Sequence, residues 1–195
     1  MSNKNNFAYI LLILTTIFWS GNFIVGKAAS MYEIPPFSLN FYRWFFAGLI
    51  LLPFTLKEII SKKKYILENI GFFIILGITS ITIFNSIVYY SLYYTQVISG
   101  VLMISTIPVW IIFISSILNV EKTNMFQIIG VALSLTGVIF IITKADINLI
   151  KSLDFNKGDL TMAVAMFSWA LYSALLRKKK YEISQITLLE AVIIS

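Results

Sequence analysis

The sequence predicts an all-α fold, a polytopic membrane helix bundle, and three observations carry that prediction. The stretch Asn69–Val120 contains no charged residue, and Glu68 and Glu121 flank it. One crossing takes about 20 residues, so a stretch of about 50 holds two crossings with a turn between them. Hydrophobic residues make up 58% of the 195 and charged residues 12%, with a mean hydropathy of +0.87, whereas soluble domains are about 25% charged. The lysines cluster in short connections beside apolar spans, where they act as topology signals. In water each helix would keep a polar face. In lipid a helix satisfies its own backbone and turns its side chains to hydrocarbon.

The elements follow in order. The first span runs roughly 7–26, and Trp19, Asn22 and Lys27 set it apart from a plain apolar signal peptide. Pro35-Pro36 opens the second span, where proline is harmless at a helix start, and this span reaches about Leu56. Residues 57–64, with four Lys and one Glu, read as a short basic loop. The third span covers about 66–90 and the fourth about 97–118, with Tyr93-Tyr94-Thr95-Gln96 as the turn between them. Pro108 frees the carbonyl of Ile104 and predicts a kink. Glu121-Lys122-Thr123-Asn124 connects to a fifth span, about 125–143, in which Gly130, Ser134 and Gly137 suit close helix packing. A longer loop follows, then a sixth span, about 159–176, ended by Arg177-Lys178-Lys179-Lys180. A seventh begins near Ile183, and Ser195 falls inside it.

Alternating connections hold Lys4, then Lys57, Lys62, Lys63 and Lys64, then Lys122, then Arg177–Lys180. The other side holds Lys27, Lys144, Lys151 and Lys157 among Glu33, Asp146, Asp154 and Asp159. The first set is the heavier, which predicts a cytoplasmic N-terminus in a multi-pass cell-membrane protein. Trp19 precedes Lys27 by the interval at which Trp169 precedes Arg177. The two tryptophans lie five spans apart, in the first and the sixth, so the second copy is inverted relative to the first. Inverted repeats mark secondary transporters, whose substrate binds where the halves meet.

Phe18-Trp19-Ser20-Gly21-Asn22-Phe23, Pro35-Pro36 followed by Arg43, and Tyr89–Tyr94 with Ser99-Gly100 and Pro108 form an ordered set. Glu121, Gly130, Gly137, Gly158-Asp159-Leu160 and Trp169-Ala170-Leu171-Tyr172 continue it. In this order and spacing the chain resembles the EamA group of the drug/metabolite transporter superfamily. The resemblance implies ten helices in two inverted five-helix halves that move small organic solutes, such as amino acids, across a membrane. On it, residues 1–143 are a first repeat, 144–158 an extracytoplasmic loop, and 159–195 the start of a second, inverted repeat that stops early. Transport by this chain alone is then not expected.

Four spans carry polar or aromatic residues at helical spacing: Thr15, Trp19, Asn22 and Gly26; Thr82, Asn85 and Tyr89; Ser99, Met103, Thr106 and Trp110; Trp169 and Tyr172. Trp19, Asn22, Asn85, Tyr89, Met103, Trp169 and Tyr172 are the expected substrate-binding set, lining one cavity between helices. The alternative for the Ser and Thr residues is hydrogen bonding across helices, worth about 0.6 kcal/mol on average. Arg43 and Glu190 lie deepest within spans. An intramembrane charge is a candidate coupling or pairing group, and snorkelling to the near interface is the alternative.

The chain has no His and no Cys, which removes imidazole and thiol catalysis and the usual zinc ligand sets. No catalytic cluster, metal or other cofactor is expected. The net charge of +6 reads as membrane topology and not as nucleic-acid binding. The expected partners are a small-molecule solute, membrane lipids, and either a second copy or a missing C-terminal half. The leading expectation is a secondary transporter and not an enzyme. The alternative is a membrane structural or partner-binding subunit that works only in an assembly.

Overall fold

A computed structural model describes residues 3–120, 124–142 and 156–195. Every regular element among the described residues is helical. Helix α1 (Asn3–Met31) and α2 (Pro36–Ser61) come first. A short α3 (Lys63–Glu68) precedes α4 (Ile70–Gly77), a π-helical segment (Ile78–Asn85) and α5 (Ser86–Ser91). Then come α6 (Val97–Ile104), α7 (Ile107–Ile117), α8 (Met125–Ile142), α9 (Lys157–Arg177) and α10 (Gln185–Ile194). Among the described residues, five stretches are long and apolar enough to cross a membrane: Tyr9–Met31, Pro36–Ser61, Ile70–Ser91, Val97–Ile117 and Lys157–Arg177. The protein is a polytopic membrane helix bundle.

Local chemistry accounts for most boundaries. Pro36 starts α2, where its missing N–H costs nothing. The expected basic loop is largely helical: α2 runs through Lys57 to Ser61, and α3 resumes at Lys63 after one residue. Lysine is a good helix former and this segment holds no Gly or Pro, so nothing unwinds it. The turn after the third span falls where expected, with the Thr95 N–H bonding back to the Ser91 carbonyl at 3.0 Å. The fourth span breaks at Ser105-Thr106, and both N–H groups take the carbonyl three residues back. Pro108 sits in the first turn of α7, as its lack of a donor dictates.

Helix α9 is the hub. It packs against α5, α6, α7 and the π-helical segment, while α10 lies against α2 and α4. The central apolar cluster joins Phe23, Phe84, Val88, Leu92 and Ile107 to Met162, Ala165 and Met166 of α9. The N-terminus of α9 is tied down by polar contacts. Asn156 and Asp159 form a capping box, and the Thr95 hydroxyl donates to Asp159 Oδ1 at 2.6 Å. The Ser91 and Thr161 hydroxyls share a bond of 2.8 Å. A Cβ on Gly158 would come within 2.8 Å of the Ser91 carbonyl oxygen and the Thr95 nitrogen, so only glycine permits this approach. Lys27 closes the same end: its ammonium donates to the carbonyls of Leu92 and Thr95 at 2.7 and 3.0 Å, where a helix C-terminus leaves acceptors free.

At the opposite end the Glu58 carboxylate accepts from the Ser184 N–H at 2.8 Å and from the hydroxyls of Ser184 and Thr187. Lys62 pairs with Glu182 at 3.9 Å. The two basic segments, 57–64 and 177–180, thus share one end of the bundle.

Two expectations fail in the packing. Helix α8 is mostly exposed along its described side chains, and a Cβ on Gly130 or Gly137 would meet nothing within 4 Å. The small residues there do not serve close packing within the described chain, because α9 seats itself against α5 to α7 instead. Most Ser and Thr hydroxyls also bond their own helix and not a neighbour, as in Thr15 to Leu11, Thr79 to Ile75 and Thr106 to Met103. A carbonyl three or four residues back lies within reach of every such hydroxyl, and the partner helix must compete with it. Glu121, Lys122, Thr123 and residues 143–155, most of the expected extracytoplasmic loop, lie outside the described residues.

Candidate functional site

The site is built from three spans that meet at one arginine, the third of them containing both the π-helical segment and α5. Asn22 comes from α1, Arg43 from α2, Asn85 from the end of the π-helical segment, and Tyr89 from α5. The Arg43 Nη1 donates to Asn85 Oδ1 at 3.0 Å and also to the Tyr89 hydroxyl. Tyr89 in turn donates to Asn22 Oδ1 at 2.6 Å. Asn85 is held from behind, its Nδ2 donating to the Ser80 carbonyl at 2.8 Å. Asn85 and Tyr89 are buried, with 4% and 2% of their surface exposed. Both are therefore locked in place, and each spends its polar atoms on this network. A chain of bonds that starts from a cation polarises every later member, so the Tyr89 proton is a stronger donor to Asn22 than in isolation.

The Arg43 guanidinium also lies over two rings, 5.0 Å from the centre of Trp44 and 6.0 Å from that of Tyr89. Among the described residues it has no carboxylate partner. Hydrogen bonds to Asn85 and Tyr89 and two ring faces engage the guanidinium, while the residue as a whole stays exposed.

Beside this network is a cavity of about 120 Å³. Trp19, Asn22, Arg43, Asn85, Trp169 and Tyr172 line it, with Phe84 and Leu189 closing the apolar side. Its aromatic wall is continuous. Trp169 meets Trp19 edge-on at 5.6 Å, Phe84 at 4.6 Å and Tyr172 at 5.1 Å. Such contacts fix ring orientation as well as burying area. Trp19 and Trp169, far apart in the chain, are therefore neighbours in space.

Most of the expected residues are brought together, but not all. Tyr89 touches the cavity only through the side chains it bonds. Met103 is half-buried against the central apolar cluster and is absent from the cavity wall. Its spacing put it on the polar stripe, but the break at Ser105-Thr106 decouples α6 from α7. Thr82 faces a different cavity, as does Glu190. Sequence reasoning missed Trp44, Ser80 and Ile81 as lining residues. Trp44 directly follows Arg43 and could have been found from that alone. Ser80 and Ile81 depend on the π-helical segment, for which the sequence carries no signal.

The π-helical segment has its own partner. Its wider turn leaves the Thr79 carbonyl open to the Ser168 hydroxyl of α9, at 2.7 Å in a buried setting. Segments of this kind occur chiefly where function requires an irregular helix.

The fold and cavity define a class: a polytopic membrane protein whose interior polar residues converge on an aromatic-walled space between helices. The chain belongs to the EamA-like transporter family, whose model matches residues 6–143. It is similar to the uncharacterized transporter YyaM of Bacillus subtilis (strain 168), 29% identical over 170 residues, covering 87% of this chain and 55% of that protein. An uncharacterized transporter of Clostridium kluyveri is 30% identical over 176 residues, covering 88% of this chain and 56% of its own. A third, from Archaeoglobus fulgidus, is 28% identical over 171 residues, 88% of this chain and 57% of its own. The chain thus spans a little over half the length of the curated relatives it matches. No solved structure matches it.

Proposed function

We propose that this chain forms the first part of a secondary transporter that moves small organic metabolites, such as amino acids or related solutes, across the cell membrane. Residues 1–143 act as one repeat and 159–195 as the start of an inverted second, with the N-terminus in the cytoplasm. The observation that carries the reading is the cavity wall. It takes Trp19, Asn22, Arg43 and Asn85 from the first repeat and Trp169 and Tyr172 from the second, as expected if substrate binds where inverted repeats meet. Family membership and the names of the relatives support transport as the activity.

The chemistry suits a solute with a polar or anionic group and an apolar body. Arg43 supplies a guanidinium fork, the group best matched to a carboxylate, and Asn85 and Tyr89 orient it. The tryptophans and Tyr172 supply flat apolar surface. In this reading the hydrogen bonds from Arg43 to Asn85 and Tyr89 hold the guanidinium ready, so that little rearrangement is needed when the solute arrives.

The test uses a ten-span protein that contains these residues, reconstituted in proteoliposomes. Asn22→Leu and Asn85→Leu should each lower solute flux per folded molecule by at least tenfold. A structural role alone would instead cost stability, about 1–3 kcal/mol for a lost buried hydrogen bond. Normal flux per folded molecule with lowered stability would make these residues helix glue and refute the site.

A further inference from the structure

A second cavity, of about 480 Å³, opens between α2 and α10. Phe37, Phe41 and Trp44 line it with Asn40, Thr82 and Glu190. Three side-chain atoms of residues that line this space are buried and have no hydrogen-bond partner among the described residues: Asn40 Oδ1, Trp44 Nε1 and Glu190 Oε2. Only 5% of Asn40 and 1% of Glu190 is exposed. Their positions are fixed. The Asn40 amide nitrogen donates to the Ile81 carbonyl and to the Ser86 hydroxyl, both at 2.9 Å, which turns its oxygen away from them. Asn40, Trp44 and Gly48 follow at four-residue spacing and make one stripe on α2. A Cβ on Gly48 would lie 3.1 Å from Ile193 Cγ2 and in ordinary contact, 3.7 Å, with Glu190 Oε1, so the stripe runs up to the carboxylate. No ion pair to Glu190 occurs among the described residues.

Buried polar atoms are almost always satisfied, and each exception needs a reason. Two of the unpartnered atoms are oxygens and one is a donor. An ammonium group satisfies both oxygens, and its charge also answers an unpaired carboxylate. Aromatic faces attract cations further, and the cavity is large enough for a small organic ligand. The remaining donor, Trp44 Nε1, calls for an acceptor oxygen on the same ligand.

We propose that the cavity between α2 and α10 is a binding site for a small organic cation that carries an ammonium group and a nearby hydroxyl or ether oxygen. Glu190 and Asn40 take the ammonium, and Trp44 donates to the oxygen. The site adjoins the one around Arg43, since Trp44 and Ile81 line both cavities, and it does not depend on the transport reading. Ethanolamine has this chemistry, both as a free solute and as the headgroup of phosphatidylethanolamine.

The test is calorimetric titration of ethanolamine hydrochloride into the chain in nanodiscs of phosphatidylglycerol. Saturable binding is expected, with none for uncharged ethylene glycol, and with affinity at least tenfold weaker in Glu190→Gln. Adding phosphatidylethanolamine to the discs identifies the source: loss of the ethanolamine signal assigns the site to the headgroup, and an unchanged signal assigns it to the free solute. Absence of saturable binding in phosphatidylglycerol, or equal affinity in Glu190→Gln, overturns the proposal. If Glu190→Gln fails to fold, solid-state NMR on the wild-type chain replaces it. A dipolar contact between the labelled nitrogen of ethanolamine and a labelled glutamate side-chain carboxyl is expected, and no contact at saturation overturns the assignment.

Discussion

Removing one oxygen atom tests the Arg43 network. Tyr89→Phe keeps the ring, which packs so closely on α1 that a Cβ on Gly26 would lie 2.8 Å from it. It deletes the hydroxyl that accepts from Arg43 and donates to Asn22. The two bonds are not equal. A neutral bond between membrane helices averages about 0.6 kcal/mol, whereas a bond to a charged group is worth about 1.5–3 kcal/mol. Arg43 keeps Asn85, and half-buried Asn22 borders a cavity that can admit water, so neither is left bare. The charged bond therefore dominates, and the total comes to about 2–3.5 kcal/mol. At about 2–4 °C per kcal/mol for a chain of this size, Tm should fall by about 4–14 °C. The assay is thermal unfolding of wild type and variant at matched detergent concentration. A shift under 2 °C would refute the network as a stabilising element. Arg43→Gln should reproduce most of the loss, and failure to do so would locate the effect in Tyr89–Asn22 alone.

Two alanine substitutions should behave oppositely. Gly158→Ala drives a methyl into the backbone at Ser91 and Thr95 and should cost about 1–3 kcal/mol. Gly130→Ala meets open space on a helix and should gain about 0.4–1 kcal/mol; unfolding curves showing the same sign for both would refute the packing of α9. Topology can be read by labelling, because the chain has no cysteine of its own. Cysteines placed at Ser61 and Ser152 should react from opposite sides of intact cells, and those at Ser61 and Glu182 from the same side. Labelling of residues 61 and 152 from one side would refute the assigned orientation.

Sequence reasoning reached the fold because the membrane imposes it. A charge-free run between Glu68 and Glu121 admits few structures, and its turn fell at Tyr93–Gln96. Helical spacing also placed Trp19, Asn22, Asn85 and Tyr172 near one another, since each lies on the polar stripe of its own span. What spacing could not supply was the partner of each stripe. Arg43 and Asn85 are 42 residues apart in the chain, and nothing local tells which helix an arginine will face. Lys27 was read as a topology signal, yet its ammonium closes the end of α5. The same charge serves both readings, and only the position of the Leu92 and Thr95 carbonyls separates them. Met103 failed for a related reason. A helical stripe extends only as far as the helix is continuous, and α6 ends at Ile104.

The π-helical segment makes the site sensitive to chain length as well as to side-chain identity. Deleting one residue between Ile78 and Asn85 would let the turn tighten to ordinary helical pitch. Tightening and deletion offset one another in rotation, so Ser86 to Ser91 would keep much of their facing while the wide turn itself is lost. The Thr79 carbonyl would then return to its own helix and abandon Ser168. A conservative replacement in this segment spares that geometry, while deletion of Thr82 or Ile83 removes the wide turn and leaves every residue that lines the cavity beside Arg43 in the chain.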